Sequence, residues 1–326
     1  MITPRSLVEL SFYWHARILH TSLSLGIFTA LSNGEMTANE VASRLSLNPR
    51  AAELLLNALV GLKLLKKNKD RYANTKIADR FMVEGRDDYL YIIRHLGGMW
   101  DTWGKLEETV RTGRPPEEPA GEEDSLRPFI LGMHNIASAC APILARKLRL
   151  SGCKTLLDLG GGPGTYSIYF CKMNPGLAAT VFDLPETLPI AKEVISRYRM
   201  EDRIRLVAGD YNVHEIDGKF DAVLISNIIH AEGFEENTAI IRKLFNALNP
   251  KGKIILQDFI LNEDMTTPSQ ASIFAINMLV NTDKGRTYTF NEITGWLKEA
   301  GFRNIKKLRI TLPNNGTIIT AEKVGQ

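Results

Sequence analysis

The hydrophobic positions along this chain change rhythm near residue 150. Before that point apolar residues recur at helical spacing. Leu7 to Leu31 carries Ile18, Leu19, Leu23, Leu25 and Phe28 in this rhythm, which predicts helix up to a break at Gly34. Thr37-Ala-Asn-Glu40 reads as a capping box opening a short helix to Leu45. Asn48-Pro49 caps a third helix, Arg50 to Leu62, which is apolar on nearly every side. A polar turn at Lys66–Asp70 and a returning strand at Arg71–Thr75 complete a helix–helix–helix–hairpin order, that of a winged helix. Further helical stretches are expected from Asp87 to Thr112 and from Leu126 to Leu150. The Pro-, Gly- and charge-rich segment Arg111–Asp124 predicts an exposed loop between them.

From Lys154 onward, short apolar strands alternate with amphipathic helices. The expected strands are Thr155–Leu159, Ala179–Phe182, Ile204–Ala208, Ala222–Ser226 and Lys253–Leu261, with helices near 165–172, 186–199, 236–248 and 289–300. Repeated β-α units predict a parallel, doubly wound α/β sheet. Asn304–Thr311 and Thr317–Glu322, joined by Pro-Asn-Asn-Gly, predict a terminal hairpin that adds one antiparallel strand. The segments 84–128 and 262–288 read as loops.

Composition narrows the picture. The 326 residues are 44% hydrophobic and 24% charged, the profile of a globular chain with a large core. A net charge of +3 is too small to imply nucleic acid by itself. Cys140, Cys153 and Cys171 form no CxxC motif and read as reduced, buried thiols. The six histidines show no HExxH or HxH spacing, so no metal is expected. No apolar run approaches the length of a membrane span, so no transmembrane helix is expected. The first residues lack a charged segment leading into an apolar one, so a cytoplasmic protein is expected.

The richest local chemistry lies in Leu156-Leu-Asp-Leu-Gly-Gly-Gly-Pro-Gly-Thr165. Gly160, Gly162 and Gly164 follow the first strand and precede a helix, where a ligand can approach the backbone closely. The Gly-x-Gly-x-x-Gly dinucleotide pattern fails on spacing, since Thr165 and Ser167 stand where its third glycine would be. A P-loop fails for want of Lys-Ser/Thr. The pattern that fits is Asp-x-Gly-x-Gly-x-Gly, with Asp158 before the first glycine. Asp183 closes the second strand, suited to a ribose diol, and Gly209-Asp210 closes the third. Acids at the strand ends favour a cationic ligand such as S-adenosylmethionine and oppose a pyrophosphate.

These motifs resemble the small-molecule O-methyltransferases of the caffeic-acid and hydroxyindole (acetylserotonin) type. The likeness covers nearly the whole chain. Leu25-Gly-Ile-Phe28, Thr37 to Leu45 and Asn48 to Leu65 are similar to that family's winged-helix dimerisation domain. Leu157-Asp-Leu-Gly-Gly-Gly-Pro-Gly164, Phe182-Asp-Leu-Pro185, Gly209-Asp210 and Asn249-Pro-Lys-Gly252 are similar to its catalytic half. The resemblance implies a Rossmann-like methyltransferase fold behind a mainly helical dimerisation domain. Its segments would be 1–110 for dimerisation, 111–150 for a linker loop and connecting helix, and 151–326 for catalysis. It implies a homodimer without nucleic-acid or membrane partners. Cofactor-lining residues would be Asp158, Gly160, Gly162, Gly164, Asp183, Leu184, Asp210, Tyr211 and Ser226.

His230 ends Val223-Leu-Ile-Ser-Asn-Ile-Ile-His230, at the crevice edge of the fourth strand, where the family carries its general base. Asp258 matches the first of two acids beside that base. The resemblance places Phe129, Met133 and His134 against cofactor and acceptor, and Met278, Trp100 and Trp103 are further pocket candidates. The chain also departs from the family. Ala231-Glu232 replaces Asp-Trp after the base, and Gly285 stands in the place of the second acid, with Glu232 or Asp283 as possible substitutes. The implied activity is methyl transfer to the hydroxyl of a small phenol, naphthol or quinol. Methylation at carbon and cofactor-assisted chemistry without transfer are the alternatives. A winged helix could instead serve a DNA-binding regulator, but its third helix is too apolar to read a groove and suits burial against another subunit.

Overall fold

The capping box at Thr37 forms. The Thr37 hydroxyl accepts from the Glu40 amide at 3.2 Å, and the Glu40 carboxylate accepts from the Thr37 amide at 2.6 Å. The computed structural model describes residues 2–117 and 125–324, so the part of the expected loop at 118–124 lies outside the described residues. The chain divides into two units, Met1–Trp100 and Asp101–Gln326.

The first unit contains helices α1 (Pro4–Leu10), α2 (Trp14–Ser24), α3 (Ile27–Ala30), α4 (Ala38–Leu45), α5 (Pro49–Gly61), α6 (Lys76–Phe81) and α7 (Tyr91–Gly98). Strands β1 (Met36–Thr37), β2 (Leu65–Asn68) and β3 (Arg71–Asn74) pair in the order β1-β3-β2, all antiparallel. This is the winged-helix order read from the sequence. The continuous helix expected from Leu7 to Leu31 is instead three helices. Ser11 closes the first through its own hydroxyl, which donates to Val8 O, and Gly26 at φ +71° ends the second. The stretch from Asp87 to Thr112 is also broken into three, because Gly97, Gly98 and Gly104 each weaken a helix by about 1 kcal/mol relative to alanine.

The second unit begins within α8 (Trp100–Gly104), followed by α9 (Leu106–Thr112) and α10 (Leu126–Leu148). Then come β4 (Thr155–Leu159), α11 (Thr165–Met173), β5 (Ala178–Asp183), α12 (Leu188–Arg197), β6 (Ile204–Ala208) and β7 (Phe220–Ser226). The remainder is α13 (Phe234–Ala247), β8 (Leu248–Asp258), β9 (Ile260–Leu261), α14 (Ser269–Asn281), β10 (Tyr288–Thr289), α15 (Phe290–Ala300), β11 (Arg303–Leu308) and β12 (Thr317–Glu322). Seven strands form one sheet, β11-β12-β8-β7-β4-β5-β6. The run from β8 to β6 is parallel, and β12 lies antiparallel to both β8 and β11.

The central strands explain their own sequence. Leu156, Leu157, Leu159, Val223, Leu224 and Ile225 are at most 1% exposed, because helices cover both faces of the sheet. Each such side chain contributes roughly 1.5–3 kcal/mol through burial. Strand order reverses between β4 and β7, which opens a crevice at their C-terminal ends.

Two expectations change. Residues 262–288 are not simply a loop, since α14 occupies their middle. Its apolar residues lie on all sides and show no clear period. Helix α10 is long and apolar enough to cross a membrane by length and composition. Half of its most apolar window is buried, with Ile130, Leu131, Cys140, Ala141 and Leu144 in the core, and it packs on α11 as a core helix of this unit.

Candidate active site

The glycine loop owes its shape to its own backbone contacts. Gly160, Gly162 and Gly164 all take left-handed φ values, +60°, +52° and +71°. Their amides donate to Phe182 O, Asp183 Oδ2 and Gly161 O at 2.8, 2.7 and 2.9 Å. Those donors are therefore spent within the protein, and Pro163 has none, so the loop is a poor phosphate cradle. In front of it there is room: a Cβ at Gly162 would meet nothing within 4 Å. Behind it there is none, since a Cβ at Gly160 would lie 2.4 Å from Ile228.

Asp183 sits at the open edge of this loop. Its two oxygens accept from Gly162 N and Leu184 N (2.7 and 2.8 Å) and retain lone pairs for further donors. Burial raises its carboxyl above the ordinary value. Leu184 is 40% exposed beside it. Asp210, half-buried at the end of β6, accepts from Asn212 N at 2.8 Å. Ser226 ends β7 and accepts from Asn227 Nδ2. A neutral adenosine with a hydroxyl-bearing ribose and a cationic tail fits this phosphate-averse, acid-edged loop.

Asp158 is placed differently from its neighbours. It is 1% exposed, beneath the loop, and its Oδ2 accepts from the hydroxyl and amide of Ser167 (2.7 and 3.3 Å). Burial pushes its carboxyl up to about 7. It braces the start of α11 and leaves the open edge to Asp183. The Tyr211 hydroxyl likewise has a protein partner, donating to Glu232 Oε1 at 3.0 Å.

The base candidate is assembled from two chain segments. Asn227, at φ +57°, turns the chain out of β7 into the short turn Ile229–Ala231 that carries His230. Asn237 Nδ2 holds that turn by donating to Ile229 O at 2.8 Å. His230 Nδ1 donates to Oδ1 of Asp258, at the end of β8, at 2.6 Å. This bond fixes the ring and leaves Nε2 as the nitrogen able to take a proton. Asp258 is 1% exposed, and its Oδ1 also accepts from Phe259 N. Phe274 on α14 meets the His230 ring edge-on at 4.8 Å, and Phe259 packs on Phe274 at 4.4 Å. The sequence reading missed both phenylalanines.

Among the described residues, neither expected substitute takes the place of the acid absent at Gly285. The Glu232 carboxylate accepts from Tyr211 and Asn212, and Asp283 is exposed. A Cβ at Gly285 would stand 2.6 Å from His230 O and 2.9 Å from Ala231 O, so the loop packs directly on the backbone that carries the base.

The expected pocket residues lie mainly on or against α10 and α14. Met278 is buried on α14 and Trp103 donates to Asn277 on the same helix. Met133 is half-buried and Phe129 is 40% exposed on α10. His134 shares a hydrogen bond with the Thr165 hydroxyl at 2.7 Å and stands edge-on to Tyr198. Burial, then the charge of Arg197, lowers its pKa to about 4. It therefore serves the α10–α11 contact as a neutral ring. Trp100 lies under the Arg17 guanidinium in the first unit.

Fold, glycine loop and acidic edge together define an α/β enzyme of the class that uses S-adenosylmethionine. Residues 111–303 match the family described as O-methyltransferase domain, and residues 8–84 match the O-methyltransferase dimerisation domain. The chain belongs to this O-methyltransferase family and is an S-adenosylmethionine-dependent methyltransferase. It is 33% identical to 3-hydroxy-5-methyl-1-naphthoate 3-O-methyltransferase of Streptomyces sahachiroi, over 95% of this chain and 92% of that one. It is 29% identical to the N,N-dimethyltransferase OxyT of Streptomyces rimosus, over 92% and 90%. Human N-acetylserotonin methyltransferase, solved with S-adenosylmethionine, shares the fold, with a TM-score of 0.84 at 23% identity over 99% of both chains.

Proposed function

We propose that this enzyme methylates a hydroxyl of a small planar aromatic acceptor, with His230 as general base and Asp258 as the group that orients it. The observation that carries this reading is the His230–Asp258 pair beside the faces of Phe274 and Phe259. S-adenosylmethionine supplies an electrophilic methyl group on a sulfonium, which departs as a neutral thioether. A free phenol has a pKa near 10 and an imidazole near 6.5. His230 Nε2 therefore takes the phenolic proton as the new O–C bond forms, which contributes about 10²–10⁴-fold. Asp258 holds the ring and offsets the positive charge it acquires. The phenylalanines hold an aromatic ring flat and exclude water. The hydroxynaphthoate named for the Streptomyces sahachiroi relative is an acceptor of this shape.

The dimerisation-domain match supports a homodimer, as does Leu54, an apolar side chain 56% exposed on the open side of α5, away from the packed Ala52, Leu56 and Leu59. The test of the main reading is turnover on a panel of phenols, naphthols and quinols, with product and S-adenosylhomocysteine both counted. His230→Ala is expected to lower turnover at least about 10²-fold. Unchanged turnover would remove His230 from its role. Stoichiometric S-adenosylhomocysteine without an O-methyl product would move the acceptor atom to carbon or nitrogen.

A further inference from the structure

Glu232 stands two residues beyond His230, and its side chain turns away from the base. Its Oε1 accepts from the Tyr211 hydroxyl at 3.0 Å and from Asn212 Nδ2 at 3.1 Å. Both partners belong to the loop after β6 that carries Asp210. The same residue's carbonyl accepts from Tyr288 OH at 2.6 Å and from Asn237 Nδ2 at 3.3 Å. Asn237 Nδ2 also donates to Ile229 O, beside the base. Glu232 thus has its backbone tied to the base turn and its carboxylate tied to the cofactor edge.

The loop it grips is held from behind as well. Lys243 Nζ on α13 donates to the carbonyls of Tyr211, Asn212 and His214 at 3.0, 3.3 and 3.0 Å. The Tyr211 ring reaches the glycine loop, with Cε1 3.6 Å from where a Cβ of Gly160 would stand. Tyr211 therefore sets its ring beside Gly160 and gives its hydroxyl to Glu232. A carboxylate accepting a phenol hydrogen bond makes a stronger tie than a neutral pair would.

We propose that Glu232 is a positioning residue that couples the two halves of the site, registering the cofactor edge through Tyr211 and Asn212 against the turn that holds His230. The role for His230 rests on the function proposed above, whereas the effect on cofactor affinity stands without it. A loop released from Glu232 samples other positions, so the cofactor binds more weakly. The base turn loses a strut at the same time, so turnover falls even when the cofactor saturates.

The test is calorimetric titration of S-adenosylhomocysteine into the full chain, joined to kcat at saturating S-adenosylmethionine, on variants matched by Tm. Glu232→Ala is expected to weaken S-adenosylhomocysteine about tenfold and to lower kcat severalfold. Glu232→Gln, whose amide oxygen still accepts, should recover most of both. Tyr211→Phe should weaken binding less, since the Asn212 bond to Glu232 survives, and the double variant Glu232→Ala/Tyr211→Phe should be no worse than Glu232→Ala alone, which already removes the bond to Tyr211. His230→Ala should leave S-adenosylhomocysteine binding unchanged, which separates this coupling from the role of the base. Wild-type affinity in Glu232→Ala, or additive losses in the double variant, would overturn the proposal.

Discussion

The cofactor edge and the base turn lie at the ends of neighbouring strands, yet they are built by different means. At the edge, shape comes from backbone. Three glycines in left-handed conformations donate their amides to nearby acceptors, and one aspartate completes the loop. At the proposed base, the arrangement rests on one bond between side chains that are 28 residues apart, with an aromatic ring from a third element against it. A backbone-built edge has several contacts to share a loss. The proposed base has one carboxylate bonded to it among the described residues, that of Asp258.

That contrast orders the expected effects. After loss of His230 itself, Asp258→Asn should cost the most, because a neutral amide no longer offsets the charge on His230. We expect kcat to fall at least about tenfold with S-adenosylhomocysteine affinity unchanged, read by steady-state kinetics beside calorimetry. Equal loss in both quantities would mean that the two regions are not separate. Asp183→Ala should show the reverse split. It should weaken S-adenosylhomocysteine about tenfold, with kcat at saturation changed much less.

Gly285→Ala sharpens the contrast from the other side. The added carbon would press on His230 O, so a loss of about 1–3 kcal/mol in unfolding free energy is expected, together with lower turnover. A variant as stable and active as the parent would show that the loop yields freely.

A last effect concerns pH. The Asp158 carboxyl is pushed up to about 7 in the folded chain, against 3.8 ordinarily. Between those values the folded protein keeps a proton that the unfolded chain has released. Stability from this group therefore declines as pH rises from about 4 to 7 and is level above that. Asp158→Asn should remove the decline, which denaturant midpoints at pH 5 and 8 would register. Parallel pH profiles for parent and variant would sink the assignment.

The same contrast decides what could be read from sequence. The glycine loop, Asp183 and the central strands were legible because their causes are local: a glycine spacing, an acid at a strand end, an apolar run buried on both faces. His230 and Asp258 were legible only through a family pattern, since no spacing rule joins β7 to β8. Phe274 was invisible because α14 was hidden by its unpatterned apolar residues, and Phe259, inside an expected strand, carried no mark that set it apart from its apolar neighbours. Asp158 and Tyr211 were found as members of the loop's neighbourhood, but their partners, Ser167 and Glu232, are tertiary facts. His134 lies on the expected helix, yet its partner Thr165 belongs to another. The breaks at Gly26 and Gly97–Gly98 were written in the chain and outweighed by helical periodicity.

Gly285 carries a consequence for descent. A glycine codon can lie one base from a glutamate codon, so by mutation alone the second acid is close at hand. By packing it is not, because the backbone of His230 and Ala231 fills the space the first carbon would need. The backbone on one side or the other has to move first. A library that moves the 282–285 backbone as well as its side chains explores ground that point substitution at Gly285 never reaches.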